Sequence, residues 1–187
     1  MKYFAFFVLG FCLLGCTAPK LHQFSVDTFQ NQTPVQMKVK EIVISNQVAQ
    51  FDKLPHIENE MPITPKNVLE DWAKNRFYPV NSSKKADVMQ VVIEKAYMTK
   101  KDEKSENWYT FDNEKYHLSY AVRVDFLLNK DVVYTLDVGG FESSSLPKRS
   151  SLSDKEKTFE KMMNQMVQKV NHQILLQMPP QMIVKGH

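Results

Sequence analysis

The feature that most constrains the fold is a run of strict alternation between apolar and polar residues in the second half of the chain. Along residues 116–128 every second side chain is large and apolar, and most of the side chains between them are polar. Successive side chains of a β-strand point to opposite faces of a sheet, so the pattern predicts a half-buried antiparallel strand. One face would carry Tyr116, Leu118, Tyr120, Val122, Val124, Phe126 and Leu128, and the other His117, Ser119, Ala121, Arg123, Asp125 and Leu127.

Shorter patterns predict the elements around this strand. Segments rich in β-branched residues predict strands, and apolar residues at helical spacing predict helices. A tight turn at residues 129–131 would join the alternating strand to the next one. In chain order the predicted elements are strand 37–45, helix 64–78, strands 87–99, 116–128 and 132–141, and helix 153–178.

The ends of both helices have recognisable signals. Thr64 followed by Pro65 is a capping residue with proline at the first helical position. Ser153 with Glu156 three residues later predicts a capping box for the second helix, and Pro179 would end it.

Two further segments are interpreted locally. The pair Gly139 and Gly140 indicates a bulge or a strand end, and it lacks the Lys-Ser/Thr and the helix of a phosphate-binding loop. Residues 142–151, which include three consecutive serines, are expected to be a solvated linker.

The order of elements predicts an α+β fold. A strand–helix–strand unit gives a parallel crossover, and the hairpins that follow add antiparallel strands. Both helices need a surface on which to bury their apolar stripes. The expected architecture is therefore a two-layer sandwich, in which a four-stranded mixed sheet carries both helices on one face. The other face would carry Arg123 and Asp125, with Ser119, His117, Thr135 and Asp137.

The N-terminus has the features of an export signal. Lys2 precedes an apolar run from Tyr3 to Leu14, which is shorter than the approximately 20 residues that span a bilayer. Small Gly15 and then Cys16 follow. The sequence Leu-Leu-Gly-Cys resembles the lipobox of bacterial lipoproteins. The resemblance implies cleavage between Gly15 and Cys16, diacylglycerol on the Cys16 thiol and an acylated new amino terminus. The alternatives are an ordinary signal peptide or an apolar core strand.

These patterns divide the chain into a signal peptide (1–15), a lipidated N-terminus with a tether (16–36), one domain (37–180) and a tail (181–187). The tether assignment rests on polar composition and two prolines. Its alternative is that Phe24, Val26 and Phe29 pack back on the domain.

Composition excludes several classes of function. Cys12 and Cys16 both lie in the N-terminal segment, so the predicted domain has neither a disulfide nor a cysteine nucleophile. The formal net charge is +3, and the charges are interspersed, whereas a nucleic-acid-binding protein shows a clustered basic excess. We therefore expect no nucleic-acid partner.

The motifs of common active sites do not occur. The five histidines include no pair at i,i+4 and no HExxH sequence, so we expect no metal site. There is no GxSxG serine motif, and Glu70 and Asp71 are adjacent on a helix and point apart. We expect no catalytic residues and no cofactor.

Two sets of residues are candidates for a partner surface. Trp108, Tyr109 and Phe111 lie in a charged connection where large aromatic side chains are unexpected, and they could dock a partner or dip into a membrane interface. Their alternative role is packing against the domain edge. The second set is Arg123 and Asp125 on the polar face of the alternating strand.

The order strand, helix, three strands, helix resembles that of small envelope lipoproteins. It is similar to the LPS-assembly lipoproteins that sit inside an outer-membrane translocon barrel, and to the auxiliary lipoproteins of ABC-type lipid transporters. The resemblance implies an accessory subunit without catalysis, whose partner is an outer-membrane barrel or an ABC-transporter component. Thr17 stands where an aspartate would resemble an inner-membrane retention signal, which favours the periplasmic side of the outer membrane. The alternatives are a lipid or glycolipid carrier, with a cavity between helices and sheet, and an envelope hydrolase.

Overall fold

The computed structural model describes residues 24–51, 53–81, 85–104 and 112–184. Two helices and six strands make up the fold, with single 3₁₀ turns at Glu58–Glu60 and Pro180–Met182. In chain order the elements are β1 (Val35–Met37), β2 (Glu41–Asn46), α1 (Pro65–Arg76), β3 (Phe77–Pro79), β4 (Val88–Glu103), β5 (Asn113–Leu128), β6 (Asp131–Pro147) and α2 (Leu152–Gln177).

Four of the strands form one mixed sheet in the order β2-β4-β5-β6. β2 pairs with β4 in parallel, while β4 with β5 and β5 with β6 are antiparallel. This confirms the predicted α+β class and the four-stranded mixed sheet. The additional parallel pair of β1 and β3 was missed, since each of these strands has only three residues and three residues show no periodicity.

The alternation along β5 sorts its side chains as predicted. All its apolar-face residues from Tyr116 to Phe126 are at most 4% exposed. The Tyr116 ring packs edge-on against Phe159 of α2, with 4.9 Å between ring centroids. Trp72 of α1 belongs to the same buried cluster, so both helices cover one face of the sheet. Fully burying a side chain of this size stabilises the fold by about 1.5–3 kcal/mol.

Strand β6 is longer than predicted. It passes through Gly139 and Gly140 without a break, pairing them with Ala121 and Tyr120, and it continues through the three serines to Pro147. The expected strand end and the linker at 142–146 were therefore wrong. Gly140 leaves room for the Tyr120 ring, since a Cβ there would lie 2.7 Å from the Tyr120 hydroxyl oxygen. The serine segment was not predicted as a strand because this part of the edge strand has few apolar side chains from which alternation could be recognised.

The predicted cap of α1 is confirmed, and that of α2 was wrong by two residues. The Thr64 hydroxyl accepts the backbone N–H of Asn67 at 3.3 Å, and Pro65 begins α1. At α2 the cap is Ser151, whose hydroxyl accepts the N–H of Asp154 at 3.2 Å and donates to its carboxylate at 2.7 Å. Aspartate thus replaces the glutamate expected in the box.

Both described ends of the chain pack on the domain. Phe29, from the segment expected to be a tether, is 4% exposed and lies under the guanidinium of Arg76, which also donates to the Thr33 carbonyl at 3.2 Å. The packing alternative therefore holds for Phe29. From the expected tail, Met182 is 4% exposed and Ile183 forms a bridge to Met37.

Two tyrosine–glutamate–lysine sets fasten α2 to the sheet. Glu114 accepts the Tyr116 hydroxyl at 2.6 Å and pairs with Lys155 at 2.7 Å. Glu142 pairs with Lys169 at 2.7 Å and accepts the Tyr120 hydroxyl at 3.3 Å. Burial and the neighbouring Glu142 carboxylate raise the pKa of Tyr120 to about 12. Both carboxylates are buried, and each has a cation and a hydroxyl donor, as buried charges require.

Candidate functional site: the open sheet face and the edge pocket

The sheet face that points away from the helices, called here the open face, carries a charged cluster at its centre. Arg123 donates to Glu94 at 2.6 Å and to Asp125 at 3.0 Å. Asp125 also accepts the Thr135 hydroxyl at 2.8 Å. The hydrogen bond and charge of Asp125 raise the pKa of Arg123. The structure therefore brings Arg123 and Asp125 into direct contact, but only Arg123 is appreciably exposed, since Asp125 is 8% exposed beneath its partners.

Aromatic side chains lie on the same open face, four residues along β5 from Arg123. Register aligns Tyr97 of β4, Ser119 of β5 and Phe141 of β6 in one row. Phe141 is 64% exposed and stacks on His117, with 5.0 Å between ring centroids. His117 Nδ1 lies 2.9 Å from the Ser143 hydroxyl. An exposed phenylalanine on an uncovered sheet face is a typical contact residue for a protein partner.

A cavity of about 470 Å³ lies where this face meets the edge of β4. It opens beyond the end of β2, since Asn46 is the last β2 residue paired with β4. We call it the edge pocket. It is lined by Val48, Ala49, Gln50, Phe51, Glu58, Asn59, Thr64, Lys66, Asn67, Ala96 and Tyr97.

The backbone of β4 faces this pocket. On one side Gln47 donates its N–H to the Ile93 carbonyl at 2.9 Å. On the other, Met98 donates to the Glu58 carboxylate at 2.7 Å and accepts from Ile57 at 3.1 Å. Peptide groups of a strand alternate in direction, so Ala96 turns its N–H and C=O to the same edge as Met98. Ala96 lines the pocket, and its peptide groups therefore border the cavity.

The rings of Phe51 and Tyr97 form one wall, and His56 packs against both of them. Phe51 stacks on His56 with 3.9 Å between centroids and an interplanar angle of 11°. Tyr97 meets both rings edge-on, at 5.9 Å from Phe51 and 5.3 Å from His56. The arrangement leaves Phe51 41% exposed.

Two polar atoms beside this wall have no hydrogen-bond partner among the described residues. They are Nδ1 of His56 and Oε2 of Glu58, and both are buried. His56 Nδ1 lies 3.7 Å from the other Glu58 oxygen, which is beyond hydrogen-bond distance. Unpaired buried polar atoms are uncommon in native proteins, and these two lie next to the edge pocket, which Glu58 lines.

Sequence reasoning missed the edge pocket. Phe51 and His56 lie in a loop that contains Pro55 and Pro62, and a loop has no period from which contacts can be inferred. The available signal was one phenylalanine and one histidine within a polar segment. The other predicted site residues, Gly15, Cys16, Trp108 and Tyr109, lie outside the described residues, as does Phe111.

The described part of the chain contains no constellation of metal-binding groups. No three His, Cys, Asp or Glu side chains in these ranges are placed to hold a metal ion. The buried carboxylates Glu114 and Glu142 are each occupied by a lysine and a tyrosine. Within the described ranges, neither helix has the length and apolar character needed to cross a membrane.

Comparison with protein-family models and with curated proteins gives no match. Among solved structures, the chain is similar to a minor lipoprotein from Acinetobacter baumannii, at 8% identity and a TM-score of 0.43, covering 80% of this chain and 99% of that one. It is similar to a putative neuraminyllactose-binding hemagglutinin homolog from Helicobacter pylori, at 10% identity and a TM-score of 0.44, covering 80% and 91%. Rare lipoprotein B from Shewanella oneidensis gives 10% identity and a TM-score of 0.38, covering 73% and 94%. At such values the likeness is one of general arrangement, so functional proposals rest on the residues of this chain.

Proposed function

We propose that this protein is a lipid-anchored, non-enzymatic subunit that binds a partner in an envelope transport or assembly system. The observation that carries the proposal is the open face of the sheet. Both helices pack on the opposite face, and the open face carries exposed Phe141 and, four residues along the paired strands, the cluster of Arg123, Asp125 and Glu94. Exposed aromatic side chains with arginine nearby are enriched at protein interfaces.

The proposed anchor is a lipid on Cys16, and the proposed location is the periplasmic side of the outer membrane. Support comes from the lipobox-like sequence at residues 13–16. We expect Cys16→Ser to move the protein from the membrane fraction to the soluble fraction, because a thioether-linked lipid needs the cysteine sulfur. Cell fractionation with wild type as the control measures this. Retention of Cys16→Ser in the membrane at the wild-type level would contradict a lipid anchor at this residue.

The proposed partner is an outer-membrane barrel or a component of an ABC-type lipid transporter. We expect Arg123→Glu to reduce the amount of partner recovered with the tagged full-length protein at least tenfold, because it places a third carboxylate beside Glu94 and Asp125. Lys157→Glu is the matched control: it makes the same charge change at an exposed position of α2. Equal recovery with both variants would contradict the assignment of the open face as the interface.

Among the described residues, the packing between helices and sheet disfavours the carrier alternative. Trp72 and Phe126 are fully buried between the helices and the sheet, and Phe77 packs edge-on against Trp72 at 5.5 Å. These side chains fill the layer where an acyl chain would lie.

A further inference from the structure

We infer that the edge pocket binds a saccharide that carries an acetamido group, the chemistry of an N-acetylhexosamine. This site goes beyond the proposed partner interface, which is the open face. Its volume of about 470 Å³ is within the range of small-molecule sites, roughly 300–1,000 Å³.

The aromatic wall provides a platform for a sugar ring. His56 covers one face of the Phe51 ring, and Phe51 remains 41% exposed. Tyr97 supports both rings edge-on. The C–H face of a pyranose packs well on an exposed aromatic ring. Because the ring is already held by two neighbours, little conformational freedom is lost when a ligand binds.

The polar wall matches hydroxyl groups. Gln50, Asn59, Thr64 and Asn67 line the pocket, and their amides and hydroxyl each contain a donor and an acceptor, as sugar hydroxyls do. Among the described lining residues, the charged groups are one carboxylate, Glu58, and one ammonium, Lys66. A lining with charges of both signs suits an uncharged ligand better than an anion or a cation.

The Glu58 side chain lines the pocket and leaves one buried acceptor, Oε2, without a donor among the described residues. Nδ1 of His56, which packs on the Phe51 ring, likewise has no partner among these residues. An unpaired buried acceptor is unfavourable, so a ligand hydroxyl group that reaches Glu58 would be favoured.

The backbone edge at Ala96 accounts for the acetamido group. Ala96 presents a peptide N–H and C=O to the cavity, between the positions at which Gln47 and Ile57 already pair with β4. The gap is too short for a further strand, because the chain itself occupies both sides of it. An acetamido group has one N–H and one C=O, and it therefore complements a single peptide unit.

The test is an NMR titration of the full-length protein in detergent micelles with N,N′-diacetylchitobiose, and with cellobiose as the disaccharide that lacks acetamido groups. We expect saturable shifts of the Ala96 and Tyr97 amides with a Kd near or below the millimolar range, and at least tenfold weaker binding of cellobiose. Phe51→Ala should weaken diacetylchitobiose binding at least tenfold. Phe141→Ala is the matched control, since Phe141 is also exposed and stacked on a histidine but is not among the residues that line the edge pocket.

Asn59→Ala is a second variant, at an exposed lining residue whose loss leaves the core intact, and it should weaken binding at least threefold. No saturable binding of diacetylchitobiose by the folded wild-type protein would overturn the inference. Equal affinity for cellobiose would overturn the assignment of the acetamido group, and unchanged affinity of Phe51→Ala would overturn the location. Recovery of a protein partner through the open face is independent of all three results, so the two proposals fail separately.

Discussion

Lys155→Met is expected to lower the free energy of unfolding by about 3 kcal/mol at neutral pH, the usual size of the loss when one partner of a buried ion pair is removed. Lys155 Nζ lies 2.7 Å from a Glu114 carboxylate that is 7% exposed, and the Tyr116 hydroxyl donates to the same oxygen. Methionine keeps the packing of the lysine stem and removes the charge. The variant would leave Glu114 with a single hydroxyl donor. Urea denaturation followed by far-UV circular dichroism measures the loss.

The same substitution predicts a pH dependence. Burial tends to raise the pKa of Glu114, but the bonds from Lys155 and Tyr116 outweigh it and hold this pKa below the ordinary value of 4.5. A lowered pKa contributes stability above pH 4.5 and loses it as the pH falls through the folded value. The difference between wild type and Lys155→Met should therefore be largest near neutral pH and shrink below about pH 4.

Lys157→Met is the control for this pair of results, since Lys157 is exposed on the same helix. It should change stability by less than about 0.5 kcal/mol. Equal effects of the two substitutions, or a Lys155→Met difference that does not depend on pH, would show that Glu114 and Lys155 do not act as a buried pair.

Gly140→Val is expected to destabilise the fold by about 3 kcal/mol, at the upper end of ordinary overpacking costs. A Cβ at residue 140 would lie 2.7 Å from the Tyr120 hydroxyl oxygen and 3.0 Å from the ring carbon that carries it. Tyr120 is 4% exposed, and its hydroxyl donates to Glu142, so the ring has little room to move. Thermal and urea unfolding would measure the loss.

Gly139→Val separates this clash from the general effect of replacing glycine in a strand. A Cβ there meets the Tyr120 carbonyl oxygen at 3.3 Å and Ala121 Cβ at 3.6 Å, contacts that small shifts relieve. We expect a change within about 1 kcal/mol, since valine also favours a strand. Tyr120→Phe should recover part of the Gly140→Val loss by removing the hydroxyl oxygen. Equal losses at both glycines would refute the close approach of Tyr120 as the cause.

The larger elements could be predicted because their signals are local. The alternation along β5 predicted the strand, its buried face and the face on which Arg123 and Asp125 lie. Thr64 and Pro65 gave the start of α1. The α2 cap shows the limit of such signals, since two serine-based boxes compete two residues apart and only the packing of the helix decides between them. Strand β6 was underestimated because its C-terminal half is polar.

Contacts between residues distant in sequence could not be predicted from the sequence alone. Glu114 and Lys155 become partners only after α2 crosses the sheet, and the sequence assigns neither to the core. The edge pocket depends on where β2 ends against β4 and on the path of the loop that follows. Phe51, His56 and Tyr97 meet through that path, and neither propensity nor periodicity specifies it. Arg123 and Asp125 could be predicted to share one face of the sheet because both lie on one regular strand.

The most direct test of the proposed function is photocrosslinking in living cells with the full-length protein. A benzophenone amino acid replaces Phe141 on the open face, and in a separate strain it replaces Leu176, an equally apolar residue that is 72% exposed on α2. The proposal predicts a discrete crosslinked product from residue 141, identified by mass spectrometry as an envelope barrel or transporter component, and no such product from residue 176. The same product from both positions, or a partner captured from residue 176 alone, would contradict the open face as the interface.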